Sequence, residues 1–411
     1  MKQVLCFVLA AAAAYAAEFR AGAARIDITP APDAGLLLSG YAGRNQGFTG
    51  IHDKIYVRAI VMNDGSGPAA LVAAEVIGIR EAAWKRITEG IQKETGIPAD
   101  RVLLASVHTH AAPQTGVYEG VANAKQGAWI ATFEESVVSA VKQAKATLQP
   151  ARVGFGTGRA NVSVNRRARM ADGTWGLGIN PDGPSDKTVA VLKFETASGE
   201  PLALFSNYAV HGTVMGPHNL EVSGDLPGAA ARFVEQQFGG KVIAPWTSGA
   251  AGDQNAIYEP GDRFEKVDVL GQILGEEIVR VAKSIDTKPA VKIRTAQSVF
   301  TCPGQKPAPD FVRKHPKFVD IDPVQVRLSL FRIGNVALAG VSGEVLTGIQ
   351  AHLLKVAGRR TVMVTHANGS SGYIPDDAAY DQVSYEITTT HLKRGCAENA
   401  IVEGIHDLMK R

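Results

Sequence analysis

The sequence predicts a mixed α/β fold, mixed sheets with flanking helices, and three observations support it. Apolar residues recur at three- and four-residue steps in residues 126–148 (Trp129, Phe133, Val137, Val141, Leu148) and in residues 264–285 (Val267, Leu270, Leu274, Ile278, Val281). That spacing gathers side chains on one face of a helix. Runs dense in Val, Ile and Leu, "KTVAVLKFET" at 187–196 and "VQVRLSLFRI" at 324–333, have the composition of buried strands. The make-up as a whole, 45% hydrophobic and 20% charged over 411 residues, is that of a globular chain with ample length for a large core.

From the N-terminus, the first element lies outside that fold. "MKQVLCFVLAAAAAYAA" joins a basic Lys2, an apolar run from Val4 to Ala14 and small residues at Ala14 and Ala16. These are the three parts of a secretory signal, so residues 1–16 are expected to be cleaved and residues 17–411 to be secreted or periplasmic. The run is well short of the ~20 residues of a spanning helix, and no later segment is long and apolar enough, so no transmembrane span is expected.

Three later segments share a hairpin form: "VRAIVMNDGSGPAALVAAEV" (57–76), "VAVLKFETASGEPLALFSNYAVH" (189–211) and "VRLSLFRIGNVALAGVSGE" (326–344). Their returning strands run out at Glu75, His211 and Glu344, potential metal-binding residues placed where a scaffold fixes the backbone and a loop frees the side chain. Residues 299–318 contain four prolines and read as a long surface loop or lid. Cys6 leaves with the signal, and Cys302 and Cys396 either form one disulfide in an oxidising compartment or remain free. Residues 386–411 have room for a terminal helix. The charges, 43 basic against 40 acidic, form no run of five or six of one sign, which argues against a nucleic-acid partner.

The candidate chemistry lies where apolar runs end in histidine. "LLASVHTHAAPQTG" (103–116) breaks off at His108-Thr109-His110. Side chains two apart on an extended chain point to one side, so both rings face one cavity. A metal pair and two hydrogen-bonded histidines at a core rim both satisfy that pattern. "SNYAVHGTVMGP" repeats it at His211. Catalytic zinc takes three ligands of the His, Glu or Asp type and keeps a position for water. Glu344, after a strand and a Ser-Gly turn, is the carboxylate candidate. Asp225 and Asp253, each after a glycine, either orient the histidines as hydrogen-bond acceptors or cap their own turns.

Seven strings in order carry a resemblance: "RIDITP", "SVHTHAAPQTG", "NRRAR", "NPDGPSDKTVAVLKFE", "YAVHGTVMGPHNLEVSGDLPG", "SGAAGDQN" and "VSGEVLTG". Together they resemble the catalytic domain of the neutral/alkaline, non-lysosomal ceramidase family, from about Ala21 to the region of Tyr385. The resemblance implies a single large catalytic domain and one zinc ion held by His108, His211, Glu344 and a tyrosine. In the family two tyrosines twelve residues apart follow the glutamate, and "NGSSGYIPDDAAYDQVSYE" supplies Tyr373 and Tyr385 at that spacing. Tyr373 would then be the fourth ligand, with Tyr385, His110 and Arg166 facing the substrate.

Two departures bear on the substrate. Where the family has a serine in a "GDxSPN"-like stretch, this chain has "GDQNAI"; the nearest hydroxyl, Ser248, has no obvious base, and no Gly-x-Ser-x-Gly elbow occurs. The chain also ends soon after Tyr385, without room for the C-terminal β-sandwich of long members. The resemblance therefore implies metal-assisted hydrolysis by water, in which zinc lowers the pKa of bound water to about 7. Arg166 and Tyr385 would donate to the oxyanion and His110 would pass a proton to the leaving amine. The expected substrate is ceramide or a related N-acyl lipid, with transient membrane-surface contact. Another amide or ester is the alternative; a non-catalytic binding protein of the same fold is disfavoured because all four ligand positions are filled.

Overall fold

The computed structural model describes residues 18–116, 124–258, 260–261, 263–289 and 291–411, so the expected signal, residues 1–16, lies outside the described residues. Two sheets pack face to face and helices cover both outer faces. The larger sheet has eight strands in the spatial order Trp246–Ser248, Pro201–Tyr208, Thr188–Thr196, Gln149–Arg159, Arg20–Asp27, Tyr56–Asn63, Pro68–Ala74 and Val102–Ser106. The smaller has four, Ile293–Pro307, Phe318–Ile333, Val336–Val341 and Thr361–Val364.

Strand alternation sorts the core into layers. Ile60 and Met62 of one strand join Leu103, Leu192, Phe194, Phe205, Phe331 and Leu338 between the sheets. Val57, Ala59 and Val61 of the same strand face outward onto Trp84 and Ile87 of helix Glu81–Thr95 and Phe133 and Val137 of helix Ala124–Ala146. Helices Asp225–Gln237 and Phe264–Lys283 cover the other strands of that face. Thr347–Ala357 and Ala397–Lys410 cover the smaller sheet. Among the described residues, no helix is long and apolar enough to cross a membrane.

The two helices expected from periodicity appear at Ala124–Ala146 and Phe264–Lys283. All three expected hairpins are antiparallel pairs. Gly199 (φ 91°) and Gly334 (φ 60°) supply the left-handed backbone that two of their turns require. Residues 299–318 are not a lid. The strands Ile293–Pro307 and Phe318–Ile333 pair from Ile293↔Ile333 to Pro307↔Phe318, which leaves only 308–317 as the connection. The prolines misled because Pro303 sits at the register shift between Cys302 and Gly304 and Pro307 ends its strand, positions where a ladder N–H is dispensable. The C-terminal segment holds two helices, Tyr385–Thr389 and Ala397–Lys410, and the Cys302–Cys396 disulfide ties the start of the second to the long hairpin.

The loops that carry the candidate residues leave the C-terminal ends of four strands: Val102–Ser106, Pro201–Tyr208, Val336–Val341 and Thr361–Val364. A bridge between Thr109 and Gly212 ties two of these ends within the larger sheet, and one between Ala105 and Ala367 ties the larger sheet to the smaller. A rigid frame thus surrounds the place where reactive side chains are usually mounted.

Candidate metal centre

His108, His211 and Glu344, far apart in sequence, meet at these strand ends. His108 Nδ1 donates to the Ile77 carbonyl (2.7 Å) and His211 Nδ1 to the Ala251 carbonyl (2.7 Å), so each ring, when neutral, presents its lone pair at Nε2. Both Nε2 atoms face Glu344 Oε2 at 3.4 Å, and that oxygen is buried with no hydrogen-bond partner. Three electron-rich atoms aimed at one another away from water repel unless a cation shares them. Two imidazoles and a carboxylate are a donor set suited to zinc. The residues therefore fit the metal.

Electrostatics agree with the geometry. Burial, reinforced by the Arg166 charge, pushes His211 down to about 4. Burial also holds His110 and His366 well below the usual imidazole value, with His108 adding to the effect. Burial alone would raise Glu344, but His108 and His211 beside it outweigh that and hold the carboxylate well below its ordinary range. His211, kept neutral by burial, and an ionised Glu344 are in the forms that ligate.

His110 borders this centre, its Nε2 3.4 Å from His108 Nε2 and its ring edge-on to His108 at 5.0 Å. The two rings are neighbours, but His108 is not extended; at φ 63° it adopts the left-handed region, a strain of the kind that collects at functional sites. Gly40, at φ 94°, lies flat against the His110 ring, and a Cβ there would be 2.1 Å from Nδ1.

Arg166, on strand Ser163–Arg169, is buried and fixed from three sides. It donates Nε to Glu386 (2.7 Å), Nη2 to the Tyr373 hydroxyl (2.9 Å) and Nη1 to Asn255 (3.2 Å), and Nη1 also faces His211 Nε2 at 3.2 Å. Tyr373 is buried and its phenol is pushed well above the ordinary value by that burial, against the pull of Arg166. Tyr385 stands edge-on to Tyr373 at 5.7 Å and is 38% exposed, at the mouth of the site. All seven residues expected from the sequence are therefore neighbours.

Other expectations need correction. Glu75 is not at the centre. It is buried against Arg58, which also holds Glu235 (2.8 Å), and this pairing joins strand Tyr56–Asn63 to helix Asp225–Gln237. Asp225 and Asp253 do not orient the histidines, whose Nδ1 atoms are taken by main-chain carbonyls. Asp225 accepts from the Val214, Met215 and Leu226 amides, and Asp253 from the Thr347 amide and hydroxyl and from Asn165 and Gln254. Both brace loop backbone. Ser248 is fully buried and its hydroxyl points to the Val107 carbonyl at 3.4 Å, with no base.

Two residues escaped the sequence reading. His366 stacks on His108 with ring centres 3.9 Å apart, and "TVMVTH" gave the same signal as His108 and His211, an apolar strand ending in histidine. Glu386, buried in the ion pair with Arg166, follows Tyr385 directly and carried no signal of its own.

A family model described as neutral/alkaline non-lysosomal ceramidase, N-terminal, matches residues 19–256. The chain is 32% identical over 251 residues to neutral ceramidase B of Dictyostelium discoideum, a match covering 56% of this chain and 33% of that protein. It is 27% identical over 256 residues to the neutral ceramidase of Pseudomonas aeruginosa, covering 59% and 38%. The matched region thus spans little more than a third of the length of these relatives. In fold the chain is similar to the crystal structure of neutral ceramidase from P. aeruginosa, with a TM-score of 0.76 at 19% identity over 95% of this chain and 74% of that one. A structure described as ceramidase complexed with C2 gives a TM-score of 0.78 at 18% identity, with the same coverage.

Proposed function

The chain belongs to the neutral/alkaline non-lysosomal ceramidase family, and from that premise we propose that it is a secreted hydrolase that cleaves the N-acyl amide bond of ceramide or a related N-acyl lipid. The observation that carries the reading is the buried, unpartnered Glu344 Oε2 faced by the Nε2 atoms of His108 and His211 at 3.4 Å. In this reading His108, His211, Glu344 and Tyr373 hold one zinc ion, which when bound polarises the amide carbonyl and lowers the pKa of water.

The chain's own groups do the rest. Arg166, fixed by Glu386 and Asn255, sets a permanent positive charge beside the place where the carbonyl oxygen becomes an oxyanion. Tyr385, at the exposed mouth, donates to the same oxygen. The water oxygen bonds to the carbonyl carbon as His110, kept neutral by burial, takes a proton from it. The C–N bond then breaks and His110 returns that proton to the departing nitrogen, giving a fatty acid and an amine. No serine takes part, since residues 252–255 read Gly-Asp-Gln-Asn.

Residues 17–411 act as one catalytic unit in this reading. His108, His110, Arg166 and His211 come from the part matched by the family model, and Glu344, Tyr373 and Tyr385 from beyond it. A lipid substrate brings transient contact with a membrane surface. The test is to incubate the purified protein with an N-acylsphingosine, and separately with a fatty-acid ester and a short N-acyl amino acid, and to follow fatty-acid release. Release from the ceramide that chelation abolishes supports the reading. Release from the ester or short amide alone moves the substrate class, and release from none of the three overturns it.

A further inference from the structure

Asn255 is engaged by only one end of its carboxamide. Resting on the hydrolase reading above, we propose that the other end, Nδ2, is a third donor to the oxyanion, beside Arg166 and Tyr385. Arg166 Nη1 donates to Asn255 Oδ1 at 3.2 Å. A guanidinium has donors only, so the carboxamide must turn its oxygen to Arg166, which fixes the end that carries Nδ2. The two polar atoms of one carboxamide stand about 2.2 Å apart, so Nδ2 also lies beside the guanidinium. Among the described residues Nδ2 makes no hydrogen bond, and the half-buried side chain does not seal it from water. Both of its N–H groups are therefore left for water in the free chain and for a substrate oxygen that displaces it.

The backbone holds this group to the centre. Strand Gln254–Ala256 pairs with strand Ser163–Arg169 at Gln254↔Asn165 and Asn255↔Val164. The His211 amide donates to Gln254 O (3.0 Å), and the Arg166 amide to Asp253 O (2.9 Å). The residue before Asn255 is thus tied to His211 and the one before that to Arg166, so the carboxamide keeps its place relative to both, as a preorganised donor must. Holding Arg166 does not by itself call for an amide. An aspartate would accept from the guanidinium through a charge-assisted bond, roughly twice as strong as one to a neutral oxygen. What the amide adds is a donor without negative charge, and negative charge developing on the carbonyl oxygen is what such a donor stabilises.

The test compares the wild-type chain with Asn255→Asp, Asn255→Ala and Asn255→Ser on an N-acylsphingosine, with kcat, KM, zinc content and melting temperature read for each. Asn255→Asp keeps the acceptor for Arg166 and removes the donor; Asn255→Ala removes both; Asn255→Ser returns a donor to the shortened side chain. The proposal expects the zinc content of the wild type in all three, and kcat and kcat/KM lowered in parallel by roughly 100- to 1000-fold in Asn255→Asp and Asn255→Ala. Asn255→Ser should exceed Asn255→Ala by about tenfold. Near wild-type kcat in Asn255→Asp would reduce Asn255 to an anchor for Arg166, and a serine variant no better than the alanine variant would deny it a donor's role. Should Asn255→Asp fold poorly or lose its zinc, alanine against serine decides. A wild-type chain that releases fatty acid from no substrate overturns the hydrolase reading, and this proposal with it.

Discussion

Replacing Gly40 by alanine tests His110 without removing it, because the substitution moves the ring and leaves its chemistry intact. A Cβ on Gly40 would lie 2.1 Å from His110 Nδ1, 2.4 Å from Cγ and 2.8 Å from Cε1, whereas ordinary contact begins at 3.4 Å. The ring must therefore retreat from Gly40 by more than an ångström, which changes its position against His108. It has little freedom to do so, since its amide is bonded to Gly212 O (2.9 Å), Arg44 grips its carbonyl and Tyr41 packs against it at 5.0 Å. A proton carrier misplaced by about 1 Å costs on the order of 100-fold in rate. Gly35→Ala is the control, because Gly35 has φ 58° and nothing within 4 Å, so that variant suffers only the backbone strain. The assay is kcat for fatty-acid release at saturating substrate, with zinc content and melting temperature on the same samples. Gly40→Ala is expected to keep its zinc and lose roughly 100-fold in kcat, and Gly35→Ala to stay near wild type. Equal kcat in the two variants would refute the role given to His110.

The two tyrosines should divide: Tyr373→Phe weakens zinc binding, whereas Tyr385→Phe keeps the metal and lowers kcat and kcat/KM in parallel by about 2.7 to 4 kcal/mol of transition-state stabilisation. Tyr380→Phe loses a hydrogen bond to Leu392 O (2.7 Å) and so about 1 kcal/mol of stability, with activity intact; activity lost in this variant would mean that the assignment through the loop is wrong. Product release should show no burst, because Ser248 has neither exposure nor a base; a burst, or an acyl adduct on Ser248, contradicts this. Burial pushes the Asp225 carboxyl up to about 6. Between an unfolded value near 4 and that value the native state holds a proton that the unfolded chain has lost, so stability falls as pH rises through this window, by about 3 kcal/mol, and is flat above it. Urea unfolding across pH should show this slope, and Asp225→Asn should remove it; a slope that survives the substitution rules out Asp225 as its source.

Much of the fold was legible because its signals are local. Helix periodicity in 126–148 and 264–285 and the three hairpins depend on neighbours a few residues apart, and all five elements are present. The face-to-face packing of the sheets was not legible, since Ile60 and Val61 are equally apolar and only strand alternation sends them to different layers. Prolines misled at 299–318 because their cost depends on whether a ladder amide is needed at that spot. At the site, the seven expected residues do come together, yet the sequence alone would have treated Glu75 as a peer of His211 and Glu344. All three end a returning strand, and only the packing of Arg58 against Glu75 separates it from them. His366 gave the right signal and was passed over, because nothing in the sequence says that its strand ends beside the strand leading to His108.

If a single metal ion held by His108, His211 and Glu344 drives amide hydrolysis, activity must follow zinc one for one. The most direct measurement is a zinc back-titration: the metal is stripped with a chelator, hydrolysis of an N-acylsphingosine is followed, and zinc is added back in steps to the wild type, His108→Ala and His211→Ala. The stripped enzyme is expected to be inactive, with activity that returns linearly and levels at one zinc per chain, and no recovery in either variant. Full activity in the stripped wild type, or stoichiometric zinc retained by either variant, would contradict it.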